Sequence, residues 1–262
     1  MKKALLIVTL ALATTIMNAQ TKVIAHRGFS GIAPENTLAA FQKAIDHGIE
    51  YFELDIHKTK DDSVVVIHDA SVDRTSSNGM KGKIEEMTYA ELSKVRVGYS
   101  GKFGDQFKDE KVPTLREALQ LAKGKIKVCL EIKVNGAEEQ VMDMLEDLKM
   151  KDEVIIFSFL YPALAKIRQL DKDIDILYLV GAADETTLDY AKVINAQAIG
   201  AGGGNPLTKE YVDKVHAAGL QIWRWTVDDE AAMKELVGIG VDGIISNFPD
   251  RALKLAGTKR KD

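Results

Sequence analysis

Apolar and polar positions follow two periods along this chain, and the two alternate regularly. Beyond residue 125, apolar and β-branched runs at 126–132, 154–159, 174–180, 198–201, 220–227 and 243–246 predict strands. Segments between and after them, at 137–150, 161–170, 185–194, 208–218, 229–237 and 250–256, repeat apolar residues at helical spacing. The first part of the chain keeps the same rhythm. An apolar run opens at Val23, a helix carries Leu38, Phe41, Ala44 and Ile45 on one face, and a second strand opens at Tyr51. Pro34 and Asn36 precede that helix, with Asn36 as its expected N-cap, and Gly48 closes it. Eight strands, each followed by a helix, in about 240 residues predict an α/β fold closed into a TIM-type (β/α)8 barrel. An open doubly wound sheet is the alternative, but no GxGxxG turn follows the first strand.

One stretch breaks the rhythm. Asp61 and Asp62 signal a turn after the second strand, and Val64 to Ile67 form a short β-branched run ending at His68 and Asp69. A two-residue hairpin loop would set 60 opposite 63, 58 opposite 65 and 55 opposite 68. Residues 70–112 then lose their periodicity, with Asn78, Gly79, Gly82, Gly98, Gly101 and Gly104 and one short helical candidate at 88–95. A connection this long predicts a small functional insertion after the second strand and its hairpin. Pro113 restores order with a helix that ends near Gly124.

The N-terminus changes the compartment. Lys2 and Lys3 precede an apolar run from Ala4 to Met17, with small Ala19 as a cleavage position, so residues 1–19 are expected to be a signal peptide. Residues 20–262 would then form one catalytic domain, exported and periplasmic or secreted. The run is short for a membrane span of about 20 apolar residues, and no cysteine follows it to carry a lipid, so no stable membrane anchor is expected in the mature protein. The formal charge of −4 becomes −6 once Lys2 and Lys3 leave with that segment. A mildly acidic surface without a basic stripe argues against nucleic acid as a partner. The lone Cys129 forms no internal disulfide and lies in an apolar run, as a buried core thiol does.

Barrels of this type carry chemistry at the C-terminal ends of their strands. The first strand delivers His26 and Arg27, the second Glu53 and Asp55 on one face, and the third Glu131 and Lys133. Glu131 ends an otherwise apolar run, where a carboxylate is costly without a compensating cation or donor. Three carboxylates, Glu53, Asp55 and Glu131, suit one hard divalent cation, Ca²⁺ or Mg²⁺, rather than zinc. The competing account is an ion pair of Glu131 with Arg27 or Lys133. Among the five histidines, His47 and His216 sit near helix ends and read as structural, and His57 as a solvated hairpin residue. Later strand ends offer Ser158, Phe159, Tyr178, residues 202–204, Trp223, Trp225 and Asn247, a less charged wall suited to a leaving group.

Four linked patterns add a resemblance: HRG at 26–28, APENT at 33–37, ELD at 53–55, and HD at 68–69 followed by Asp73, Arg74 and Thr75. In this order they resemble the glycerophosphodiester phosphodiesterase family, with weaker marks at Ser158 and Phe159, WTVDD at 225–229 and GVDGIISNFPD at 240–250. Leu160 departs from the aspartate expected there. The resemblance implies metal-dependent hydrolysis of glycerophosphodiesters to glycerol 3-phosphate and an alcohol such as choline or ethanolamine. His26 and His68 would be the general acid and base, in an order the sequence leaves open, and Arg27 and Lys133 would bind the phosphodiester. Trp225 either walls the headgroup pocket, where it could stack a choline cation, or packs in the core. The family's insertion at this place can cover the pocket. A phospholipase D-like activity on lysophospholipids, a glycerophosphoinositol-type substrate and a non-catalytic phosphate-binding barrel are the alternatives. The sequence assigns no oligomeric state.

Overall fold

The computed structural model describes residues 20–256, so the segment read as a signal peptide lies outside the described residues. The elements run β1 (Lys22–Ala25), α1 (Leu38–Asp46), β2 (Tyr51–Lys58), β3 (Val64–Val66), α2 (Tyr89–Leu92), α3 (Ser100–Phe103) and α4 (Leu115–Ala122). Five strand–helix pairs follow the next strand and helix, β4 (Lys127–Ile132) and α5 (Glu138–Leu148). They are β5 (Val154–Ser158) and α6 (Tyr161–Leu170), β6 (Asp175–Val180) and α7 (Glu185–Val193), and β7 (Ala198–Ala201) and α8 (Lys209–Ala217). The last two pairs are β8 (Gln221–Arg224) with α9 (Glu230–Gly238), and β9 (Gly243–Ser246) with α10 (Pro249–Leu255).

All strands except β3 pair in parallel, in the order β1, β2, β4, β5, β6, β7, β8, β9, and β9 pairs back onto β1, which closes the expected TIM-type barrel. Strand alternation divides the core in two. Phe52, Leu54 and Ile56 of β2 and Val128, Leu130 and Ile132 of β4 face outward, where they pack with apolar helix faces such as Phe41, Leu115 and Leu119. Inward-facing Ile24, Tyr51, Cys129, Phe157, Leu177 and Trp223 fill the barrel, and Trp223 meets Tyr51 and Phe157 edge-on. Cys129 is fully buried, as expected. Trp223 belongs to this plug rather than to the site that its strand-end position suggested.

Three local expectations change. The β2–β3 ladder pairs Ile56 with Val66, His57 with Val65 and Lys58 with Val64, one residue away from the expected register. The loop holds three residues, not two: Thr59 N donates to Ser63 O at 3.0 Å and Asp62 takes a left-handed φ of 61°. His68 still reaches the site because the last hairpin bond is Ile67 N to Asp55 O at 2.9 Å and the chain bends at 68–70 beyond it. His57 is buried, with Nε2 3.1 Å from the backbone oxygen of His68, and is not a solvated residue. Finally, the N-cap of α1 is Thr37, whose hydroxyl accepts from Ala40 N, whereas Asn36 adopts a φ of 55° and turns its side chain to Asp55.

The insertion packs around a core of its own. Val72, Ile84, Leu92, Val95, Val97 and Val112 close over Val65 and Ile67 of the hairpin. Phe107 packs against Ala33 and Ala40, and Lys102 Nζ donates to Ser30 O at 3.1 Å, so its far end leans on the β1–α1 loop.

Candidate active site

The turn after β1 is the most constrained piece of backbone at the barrel mouth. Arg27 has a φ of 54° and Gly28 one of 77°. A β-carbon on Gly28 would lie 2.7 Å from Ala40 C, so glycine alone fits between the turn and α1. The turn is anchored to β2, because Arg27 N donates to Glu53 Oε2 at 2.8 Å and Gly28 N to Glu53 O at 3.1 Å. Held in this way, His26 and Arg27 face the barrel mouth.

Beside them the carboxylates converge. Asp55 stands opposite Glu131 in the β2–β4 ladder, and Glu53 lies two residues earlier on the same face. One oxygen from each of Glu53, Asp55 and Glu131 lies within 4.8 Å of the others, and all three residues are buried. Burial, Asp55 and Glu131 push the Glu53 carboxyl well above the ordinary range, and burial with Asp55 pushes Glu131 up to about 7. Burial acts on Asp55 in the same direction, but Lys133, Arg27, His68 and the Asn36 amide outweigh it and hold Asp55 below the usual range. Both accounts of Glu131 meet here. Lys133 Nζ is 3.0 Å from Glu131 Oε1 and 3.4 Å from Asp55 Oδ1, and Arg27 Nε is 3.5 Å from Asp55 Oδ2, so three carboxylates face two cationic side chains, of which Arg27 is shared with Glu35. The donor set of three hard oxygens with unmatched negative charge fits a divalent cation.

The two histidines have unlike surroundings. His26 Nδ1 lies 2.8 Å from Asn247 Oδ1. Asn247 Nδ2 donates to Asp228 Oδ2 at 2.7 Å, and because that carboxylate only accepts, the amide oxygen must be the atom facing His26. His26 therefore carries its proton on Nδ1 and leaves the Nε2 lone pair free. Burial and then Arg27 hold its imidazole down to about 4. His68 Nδ1 instead donates to Asp69 Oδ1 at 2.7 Å, a carboxylate that Arg74 keeps well below the usual range. Asn247 was legible as a strand-end position. The supports Asp228 and Ser30, whose hydroxyl donates to Asn247 Oδ1 at 2.7 Å, had no such mark, since they act through a partner distant in sequence, and Asp69 was visible only as part of the HD motif.

A cavity of about 220 Å³ joins these groups. His26, Arg27, Glu53, His68, Glu131 and Lys133 line its charged side, and Asp55 lies buried beside Glu53 and Glu131. Phe157, Phe159, Leu179, Trp225 and Ile245 line the other. Trp225 thus walls the cavity, its indole Nε1 donating to Gly200 O at 3.0 Å and its ring edge-on to Phe159. The glycine run at 202–204 serves that wall: a β-carbon on Gly202 would meet the Trp225 ring at 2.7 Å. None of the lining residues comes from residues 78–112. Among the described residues, Arg27 Nε is buried without a hydrogen-bond partner, 3.5 Å from Asp55 Oδ2. His47 caps α1 and His216 pairs with Asp242, both away from the cavity as expected.

A model of the glycerophosphoryl diester phosphodiesterase family matches residues 26–251, from the first of these histidines into the last helix. The chain belongs to that family. It is 35% identical over 247 residues to the glycerophosphodiester phosphodiesterase of Bacillus altitudinis, covering 90% of this chain and 98% of that protein. A relative of the same name from Caldanaerobacter subterraneus is also 35% identical, over 90% of this chain and 98% of its own. Among solved structures, an Oleispira antarctica phosphodiesterase in complex with the product sn-glycerol-3-phosphate superposes with a TM-score of 0.82 at 28% identity, covering 91% of this chain and 98% of that one. This phosphodiesterase has the activity of its family, hydrolysis of a glycerophosphodiester, carried on a TIM barrel.

Proposed function

We propose that this enzyme cleaves glycerophosphodiesters such as glycerophosphocholine and glycerophosphoethanolamine to glycerol 3-phosphate and an alcohol, with His26 as general base and His68 as general acid. The observation that carries the assignment is the unlike support of the two rings. A buried, neutral imidazole protonated on Nδ1 offers Nε2 as an acceptor, whereas a ring beside an ionised carboxylate is suited to hold and deliver a proton. His26 takes the proton from the attacking oxygen, a water or a neighbouring glycerol hydroxyl, as that oxygen bonds to phosphorus. His68 gives its proton to the alkoxide as the phosphorus–oxygen bond breaks. Arg27, whose Nε makes no hydrogen bond among the described residues, and Lys133 bind the phosphate oxygens and counter the charge that grows on them. Glu53, Asp55 and Glu131 hold one divalent cation, Ca²⁺ or Mg²⁺, which when bound polarises a phosphate oxygen and adds positive charge to the site. Trp225 and Phe159 border the part of the cavity that takes the alcohol.

The insertion buries its apolar residues in its own core and against Ala33 and Ala40, and adds none to the cavity, which favours a small glycerophosphodiester over a lysophospholipid. Removal of residues 1–19 and export would place the enzyme where Ca²⁺ is available, a reading supported by the basic and apolar regions of that segment. The test is release of glycerol 3-phosphate from a panel of diesters by residues 20–262, first in EDTA and then with Ca²⁺ or Mg²⁺ restored. Turnover should appear only with the cation and vanish in His26→Ala and His68→Ala. Wild-type rates in both histidine variants would sink the proposed chemistry, and full activity in EDTA would remove the cation.

A further inference from the structure

All five N–H donors of one insertion side chain are engaged at the rim of the site. Arg74 donates from Nε to Asp69 Oδ2 at 2.6 Å and from Nη2 to Asp69 Oδ1 at 3.0 Å. Along its other edge, Nη2 and Nη1 donate to the two Glu35 oxygens at 2.7 and 2.9 Å. The remaining Nη1 hydrogen meets the Tyr99 hydroxyl at 2.7 Å. The guanidinium therefore grips two carboxylates, each through two bonds, from a single plane. That fork geometry belongs to arginine, and a lysine ammonium does not reproduce it.

Each carboxylate in turn holds a group that lines the cavity. Asp69 accepts from His68 Nδ1 at 2.7 Å, and Glu35 Oε1 accepts from Arg27 Nη1 at 2.8 Å. Arg74 lies outside the cavity lining, yet it stands one side chain away from both the phosphate-facing guanidinium and the solvent-side histidine. Among the described residues, the Asp69 carboxylate has hydrogen bonds only from His68 and Arg74. Without Arg74, the Asp69 side chain is free to rotate, and His68 loses the acceptor that selects its tautomer and ring angle. Glu35 then pairs with Arg27 alone and competes more strongly with a phosphate for that guanidinium.

We propose that Arg74 is a positioning residue, orienting His68 through Asp69 and Arg27 through Glu35, so that the insertion forms part of the catalytic apparatus rather than a cover over it. The rate effect, though not the positioning, rests on His68 being the proton donor. Poor positioning of a general acid harms departure of an alkoxide and spares departure of a phenolate, which needs no proton. The test compares Arg74→Lys and His68→Gln with the parent on glycerophosphocholine and on the p-nitrophenyl ester of glycerol 3-phosphate. The Arg74 side chain is 42% exposed, so the lysine variant should keep its fold, which its circular dichroism melt checks. Arg74→Lys should lose about tenfold or more in kcat on the choline ester and less than about threefold on the aryl ester, with His68→Gln showing the same selectivity more strongly.

The ¹⁵N shifts of the His68 ring, identified by their loss in His68→Gln, supply a readout independent of rate. They should report an Nδ1 that keeps its proton in the parent whether or not Nε2 carries the proton to be delivered, and a neutral ring that shares its proton between Nδ1 and Nε2 in Arg74→Lys. Unchanged His68 shifts in Arg74→Lys overturn the proposal, as do equal losses on both esters when His68→Gln discriminates between them. Altered shifts together with a His68→Gln variant impaired equally on both esters uphold the positioning role and refute the proton-donor assignment.

Discussion

Glu131→Gln should strengthen the cation-free fold while weakening the cation binding proposed for the cluster. Glu131 is the penultimate residue of β4, 8% exposed and opposite Asp55 in the ladder, and burial with Asp55 pushes its carboxyl up to about 7. With a folded pKa above the unfolded value of 4.5, the native state holds this proton longer. The stability tied to it is complete below pH 4.5 and is lost as pH rises through 7. At about 1.4 kcal/mol per pH unit, the ionised carboxylate costs the cation-free fold roughly 3 kcal/mol at alkaline pH. Glutamine carries no charge to desolvate and keeps an oxygen for Lys133 Nζ, now 3.0 Å from Glu131 Oε1. In EDTA at about pH 8, above this titration, Glu131→Gln should unfold with a free energy up to about 3 kcal/mol above the parent. The difference should shrink toward zero near pH 4.5. Ca²⁺ or Mg²⁺ at a thousand times its dissociation constant should reverse the order, since it adds about 4.1 kcal/mol to a fold that binds it. Urea denaturation followed by the fluorescence of Trp223 and Trp225 measures all four conditions. A variant less stable than the parent in EDTA at alkaline pH, or stabilised equally by the cation, would refute the reasoning.

Three further outcomes follow from other parts of the site. Burial and Arg27 hold His26 down to about 4, below its ordinary 6.5, so the unfolded chain binds more protons between those values. Stability should therefore fall by roughly 3 kcal/mol as pH drops through that window, and kcat/KM should show its acid limb near 4; an acid limb at 6.5 in the pH–rate profile contradicts the neutral buried base. Gly28→Ala puts a β-carbon 2.7 Å from Ala40 C at a φ of 77°, and should cost at least about 2 kcal/mol in denaturant midpoint analysis and displace Arg27. Asn36→Ala removes an amide that donates to Asp55 Oδ2 at 2.7 Å, so thermal or urea unfolding should show a loss of about 2 kcal/mol; no loss would make that bond dispensable.

Strands, helices and barrel were legible because each rests on a local period. Alternation along β2 and β4 puts Glu53, Asp55 and Glu131 on one inward face, and the position of a strand end was enough to single out His26, Arg27, Lys133 and Asn247. What failed was decided by atoms that periodicity does not describe. The hairpin register turned on one left-handed residue, Asp62, which made a three-residue loop where the two aspartates suggested two. Asn36 looked like a helix cap because its type suits that role, but Thr37 was equally placed to cap, and Asp55 claimed the asparagine. His57 looked solvated because the sequence gives no sign that the insertion folds back over the hairpin.

The amino-acid sequence by itself determined the barrel, its family and the inventory of charged groups at its mouth, since these depend on residue type and on spacing within one element. Only the tertiary structure decided how those groups differ from one another. His26 is a neutral acceptor because Asn247, 221 residues away, turns its oxygen toward it under the constraint of Asp228. His68 has an ionised partner because Arg74 spans from Asp69 to Glu35, 39 residues earlier in the chain. A protonation state is set by burial and by the nearest charges, and those neighbours come together only when the chain closes the barrel.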